Sequence, residues 1–300
     1  MGDGLGGFLK SRRARVAPES AGLPVGTRRR VPGLRREELA QLAGISVEYY
    51  QRLEQGRSHR PSPEVLNALA RALSLDDVER AHLETLAHPP LDGPPGRGAT
   101  AEPAGNGVRP ETERLLALMD RVPAMVINDR FDVLAANPLA VRLFGDVLAG
   151  RPAGGGRNLA RYLFLDSAAR DFYVAWDEIA AVTAAQLRLV SARHPGDRDL
   201  AGLIGELREG GAEFEGLWAA GDVELRTSGV KDLRHPALGV ITVNYENFEM
   251  PGDPRCRMVT LAPVPDGASE IALQLLSTWA AGPAATASPG GEQVIAPEAR

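Results

Sequence analysis

The stretch "LRREELAQLAGISVEYYQRLEQGR", residues 34–57, leaves the surrounding chain few ways to fold. Leu39, Ala40, Leu42 and Ala43 make an apolar face on one short helix, and Gly44 permits a sharp turn. Ile45 follows, then Ser46, whose hydroxyl suits it to cap a second helix from Val47 to about Gln55. Two short helices joined by a tight glycine turn form a helix-turn-helix. On a wheel of about 100° per residue, Tyr50 and Leu53 share one face with Glu54 beside them, and Glu48, Arg52 and Gln55 lie opposite. Tyr50 is therefore expected inside, packed on Leu39 and Leu42, while Tyr49 reaches outward. In such motifs the first residues of the second helix meet base edges in the major groove, which nominates Ser46, Val47, Glu48, Tyr49 and Arg52. Arginine pairs with guanine, glutamate accepts from cytosine and valine touches the thymine methyl.

Glu54 falls at a half-buried position, and a buried carboxylate needs a cation. Arg13, on a helix expected around Phe8 to Arg15, is the expected partner. Gly56 ends the second helix, and the basic loop that follows places Arg57, His59 and Arg60 to hold phosphates, which sets affinity and register but reads little sequence. Residues 62–75 then read as a helix capped by Ser62 with Pro63 at its first position, burying Val65, Leu66, Leu69, Ala70 and Leu73. Residues 76–87 are one more amphipathic helix.

Charge supports a local anionic partner. The net charge is -5, yet residues 1–60 hold 12 Lys and Arg against 6 Asp and Glu, and the remainder holds 22 against 33. A basic end on an acidic body points to an anion met at that end. The single cysteine, Cys256, excludes an intrachain disulfide and a cysteine-rich metal site. There is no signal-peptide pattern and no apolar run near the ~20 residues of a membrane span, so a cytoplasmic protein with no membrane partner is expected.

The chain divides at "HPPLDGPPGRGATAEPAGNGVRP", residues 88–110, too rich in Pro and Gly to order itself. This places a helix-turn-helix domain at 1–88, a linker at 89–110, a second domain at 111–281 and a disordered tail at 282–300. In the second domain, residues 122–136 read as a hairpin, and Asn137-Pro138 opens a helix through Phe144. Residues 157–220 are helical, broken at 194–197 and 210–211. Residues 222–264 return to strands, with Ile241, Val243 and Tyr245 alternating against Thr242, Asn244 and Glu246, and a final amphipathic helix spans about 268–280.

"EELAQLAGISVEYYQRLEQGR" resembles the XRE-type, lambda-repressor-like helix-turn-helix family, over about residues 3–75. By position the resemblance implies that Arg36 stands where the family often has a glutamine touching phosphate or base, that Gln41 faces DNA, and that Arg13 and Glu54 form an internal ion pair. The connection 17–33 is longer than the family pattern and carries "GTRRRVPG", so Arg28, Arg29 and Arg30 are placed to lie along the backbone or enter a minor groove. Together with "FDVLAANPLAVRLFGD", "NLARYLFLDSAAR" and "RTSGVKDLRHPALGVITVNYE", the pattern closely resembles the MmyB-like group of regulators, abundant in actinobacteria. That resemblance implies two domains: an all-α lambda-repressor-like helix-turn-helix domain, then an α+β PAS-like domain with an antiparallel sheet and helical insertions.

It further implies a ligand-responsive transcription factor that binds a double-stranded DNA operator as a homodimer and takes an apolar, fatty-acid-like small molecule in the PAS-like domain. The alternative is a PAS-like domain that is a ligand-free protein-interaction or dimerisation module. Candidate pocket residues are Leu134, Ala136, Phe144, Tyr162, Phe164, Phe172, Trp176 and Tyr245. Related sequences often carry Trp at the place of Ala136, so a larger or differently shaped pocket is expected here. No catalytic residue, metal site or cofactor is expected. His59, His82, His88, His194 and His235 lack metal-ligand spacing, and the chain has no GxSxG, no P-loop and no dinucleotide fingerprint.

Overall fold

The computed structural model describes residues 4–23, 33–57, 60–89, 108–149, 157–265 and 267–279. Most of the expected linker, the expected tail, Arg28 to Arg30 and His59 lie outside them. Five helices build the N-terminal region: α1 (Leu5–Arg15), α2 (Arg36–Ala43), α3 (Val47–Glu54), α4 (Pro63–Ala72) and α5 (Asp77–Ala87). Local chemistry sets their ends. Gly44 takes a left-handed conformation (φ 66°) that closes α2 and turns the chain into α3. Pro63 sits in the first turn of α4, and Asp76 and Glu79 form a capping box at α5.

Their shared core holds Phe8, Leu9, Leu39, Tyr50, Leu53 and Leu69, most of them fully buried. Each such side chain contributes about 1.5–3 kcal/mol relative to exposure. Leu42 departs from expectation: it is 39% exposed and does not pack under Tyr50. Leu39, Ala40 and Ala43 centre the buried stripe, and Leu42 lies about 100° round the helix from that centre.

The C-terminal region is a five-stranded antiparallel sheet with helices inserted into it. It comprises α6 (Pro110–Leu118), β1 (Ala124–Asn128), β2 (Val133–Ala136), α7 (Pro138–Phe144), α8 (Asp146–Ala149), α9 (Leu159–Leu165), α10 (Ala168–Phe172), α11 (Trp176–Arg193), α12 (Arg198–Gly210), α13 (Ala212–Ala220), β3 (Ser228–His235), β4 (Gly239–Glu249), β5 (Cys256–Pro263) and α14 (Ala268–Thr278). The strand order is β2-β1-β5-β4-β3, so the last strand lies between the two hairpins. Met125, Leu233, Ile241, Val243 and Leu261 point from the sheet into a core shared with the helices. On the other face, Leu116 of α6 covers Ala124 and Val126.

Asn137 ties the hairpin to α7. Its Oδ1 accepts from Ala140 N at 2.8 Å and Ala124 N at 3.1 Å, and its Nδ2 donates to Met119 O and Val122 O. The two regions touch: Leu189 of α11 and Val223, just after α13, belong to the apolar cluster built around Phe8 and Leu83. No helix among the described residues is long and apolar enough to cross a membrane.

Candidate DNA interface and ligand cavity

Ser46 begins α3 in extended conformation, and its hydroxyl accepts from Tyr49 N at 3.1 Å. The cap fixes which side chains face outward. Ser46, Glu48 and Arg52 are exposed, Val47 and Tyr49 are half-buried, and the Arg52 guanidinium lies 5.8 Å from the centre of the Tyr49 ring. Gln41 on α2, and Arg57 and Arg60 after α3, are exposed. Gln51, which the sequence reading passed over, is also exposed on α3.

Glu54, at the inner end of α3, has a side chain only 2% exposed and takes two cations. Arg13 of α1 reaches Oε1 at 2.6 Å through Nη2 and donates from Nη1 to Leu34 O at 2.7 Å. Arg36 of α2 donates to Oε2. The three helices are thereby joined at one carboxylate. Burial alone would raise the Glu54 pKa; the hydrogen bonds from Arg36 and Arg13 outweigh it and hold the group below the ordinary glutamate value. Arg36, nominated for DNA, is thus also part of this joint, with its side chain 46% exposed.

Between the sheet and α11 lies a cavity of ≈ 290 Å³. Met125, Phe131, Phe144, Leu233 and Leu261 line much of its wall. The partly exposed pair of Arg226 and Glu178 stands at its edge. Thr183, Gln186, Asp232 and Asn247 add polar groups to this largely apolar lining, and two further cations face it. Lys231 of β3 sits 4.3 Å from the centre of the Tyr245 ring and has no carboxylate partner among the described residues. Burial, with Arg257 and Arg226 as neighbouring like charges, lowers its pKa to about 8. Arg257 stacks 4.9 Å from the centre of the Phe131 ring, with Asp129 no nearer than 3.7 Å.

Of the eight expected pocket residues, Phe144 and Tyr245 line the cavity. Leu134, Ala136, Tyr162, Phe164, Phe172 and Trp176 do not. Leu134 packs with Leu116 on the α6 side of the sheet. Ala136, at the end of an edge strand, packs against the core and stands opposite Met125, which does line the cavity. The aromatics are consumed by one another: Phe164 lies edge-on to Phe214 at 4.8 Å, and Phe172 meets Phe144 at 5.2 Å and Tyr162 at 6.1 Å. Trp176 donates its indole N–H to Leu163 O at 2.9 Å and lies under Arg170.

Residues 5–83 match the family model of a helix-turn-helix domain, and residues 108–276 match that of the MmyB-like transcription regulator ligand binding domain. The chain belongs to the MmyB-like transcription regulator family. No curated protein matches it. This MmyB-like regulator is a DNA-binding transcription regulator with a ligand-binding domain, and neither matched family is an enzyme family. Among its described residues no group of His, Cys, Asp and Glu is arranged to hold a metal ion.

Lys231 is the feature of the MmyB-like cavity that motif reading missed. A signal was present. On β3, Leu233 and His235 point inward and Lys231 is in phase with them, whereas Val230 points out. A lysine in the apolar phase of a strand beside an exposed valine inverts the usual pattern.

Proposed function

We propose that this regulator binds a palindromic or near-palindromic operator as a homodimer, with half-sites about 34 Å apart, and that an apolar, fatty-acid-like ligand in the cavity controls it. The DNA reading rests on the capped, outward-facing first turn of α3. Ser46, Val47, Glu48, Tyr49 and Arg52 read bases, while Gln41, Arg57 and Arg60 hold the backbone, with Arg36 shared between DNA and Glu54. The homodimer reading is supported by α6, which leaves Leu115 and Leu118 50% and 72% exposed. The protein acts where its operator is, in the cytoplasm, and does no catalysis of its own.

The ligand reading rests on one observation: a largely apolar cavity faced by Arg257 and by Lys231, which has no ion-pair partner among the described residues. A carboxylate on an alkyl chain satisfies both parts. The alternative, a ligand-free interaction module, fits a filled core better than a domain with this opening.

Footprinting the full-length protein upstream of its own gene tests the DNA reading. Arg52→Ala is expected to relax preference at one base position by about 1–3 kcal/mol. Arg60→Ala is expected to weaken binding evenly across sequences and to reduce the salt slope by about 1. Identical behaviour of the two variants would show that base-reading and phosphate-holding roles are wrongly divided. Native mass spectrometry of the purified protein reads ligand and oligomeric state together, and a monomer without added mass would count against both halves of the proposal.

A further inference from the structure

The face by which the N-terminal region meets the C-terminal one is built around Arg12 of α1. Its side chain is 5% exposed. Within its own region it pairs with Glu79 of α5 at 3.0 Å. Across the seam it donates from Nη2 to Gly221 O at 2.9 Å and from Nη1 to Asp222 Oδ1 at 3.2 Å. Arg15 joins it, donating to Asp222 and to Ala220 O at 2.9 Å. The backbone there is shaped for the contact. Gly221 closes α13 in left-handed conformation (φ 75°), and a Cβ on it would meet the Ser11 hydroxyl at 3.0 Å. Leu189 and Val223 fill the apolar part of the seam.

Two short routes lead from this seam to the cavity. Helix α11 lines the cavity with Ile179, Val182 and Gln186, and places Leu189 in the seam. Ile179 and Leu189 are about 15 Å apart along one rigid element. Arg188 of α11 stacks 4.3 Å from the centre of the Trp218 ring and donates to Trp218 O, which locks α11 to the end of α13. The second route is the connector after α13. Asp222 holds the two arginines, Val223 packs in the seam, and Arg226 lines the cavity and pairs with Glu178 of α11.

We propose that cavity occupancy is passed to the DNA-binding domain through α11 and the connector 222–226, with the Arg12–Asp222–Arg15 clasp as the joint between the domains. The proposal rests on the reading of the cavity as a ligand site. A ligand shifts the docked arrangement only by binding it better or worse than the undocked one. The cavity wall and the seam share α11, and the connector of five residues runs from the clasp to the cavity, so displacement of one strains the other. Ser46, Glu48 and Arg52 stay exposed in the docked arrangement, so docking sets the orientation of the DNA-binding domain and leaves these side chains open to DNA.

The test is hydrogen–deuterium exchange on the full-length protein, reading residues 5–15 and 77–87. Three arms are compared: added dodecanoate as probe, Val182→Trp to fill the cavity from α11, and Asp222→Arg to open the clasp at a half-exposed position. Asp222→Arg is expected to speed exchange in both segments by about tenfold. Dodecanoate and Val182→Trp are each expected to change it several-fold in the wild-type background and much less beside Asp222→Arg. Failure of dodecanoate to bind, seen by native mass spectrometry, removes the ligand reading; the Val182→Trp arm still decides the coupling. Dodecanoate bound, or the cavity filled, with both segments exchanging as before would overturn the proposal. Wild-type exchange in Asp222→Arg would overturn it as well.

Discussion

Replacing Lys231 by methionine is expected to lower affinity for dodecanoate by about 100-fold, roughly 3 kcal/mol, and at the same time to raise the melting temperature of the empty protein. The two effects have one cause. The ammonium lies against the Tyr245 ring in a largely apolar cavity, and among the described residues no carboxylate is paired with it. A ligand carboxylate supplies that partner, and methionine, of similar length, keeps the packing but offers nothing to the anion.

The pH dependence follows in sign. Lys231 has a folded pKa of about 8, below the roughly 10.4 of an unfolded lysine. Between these values the unfolded chain holds more protons, so the stability of the empty wild type rises with pH across that window. Over the same rise the ammonium disappears, and dodecanoate affinity falls. The methionine variant is expected to flatten both profiles, and dodecanol, which carries no charge, is expected to bind both proteins alike. Isothermal titration at pH 7 and pH 9 reads the effect. Equal dodecanoate affinity in the two proteins at pH 7 would remove Lys231 from the site.

Glu54→Ala is expected to destabilise the DNA-binding domain by about 3 kcal/mol, the lower end for breaking a buried ion pair because one partner has access to water. Arg13 is left beside Tyr50 with its side chain 12% exposed, while Arg36, 46% exposed, relaxes into solvent. Glu54→Gln keeps the shape and loses the charge, and should fall between. The carboxyl is held below its unfolded value, near 4.3, so its contribution is complete above that pH and is lost as pH falls through the lower folded value. Thermal melts of the full-length protein followed by circular dichroism, from pH 7 down to pH 3, should therefore show wild type and Glu54→Gln converging in acid. A difference between wild type and Glu54→Ala below about 0.5 kcal/mol would place Glu54 among ordinary surface residues.

The helix-turn-helix was legible because its determinants are local. Gly44, Ser46 and the 3.6-residue spacing of Tyr50 and Leu53 act within a few residues of one another. Leu42 misled because apolar type alone does not say where the centre of a stripe falls on an eight-residue helix. The second domain's hairpin, its Asn137 cap and the alternation in β4 were local too, and the structure has them. The cavity is assembled from β1, β3, β4, β5 and α11, segments far apart in the chain, and no window of sequence contains it. Choosing lining residues by aromatic type selected side chains such as Phe164 and Trp176 that already satisfy one another. Lys231 was the better clue, because a charge in the apolar phase of a strand has to be answered by something.

The position of β5 bears on how the protein is made. A ribosome that has delivered residue 249 has produced β1, β2, β3 and β4, yet the two hairpins they form share no ladder until β5 enters between them. The helical bundle at the other end is held by contacts within its own first 87 residues and those of the seam. Local contacts form early and long-range strand pairing late. The nascent chain can therefore close its N-terminal helical region well before the sheet of its ligand-binding domain is complete, because that sheet waits for the strand that begins at Cys256.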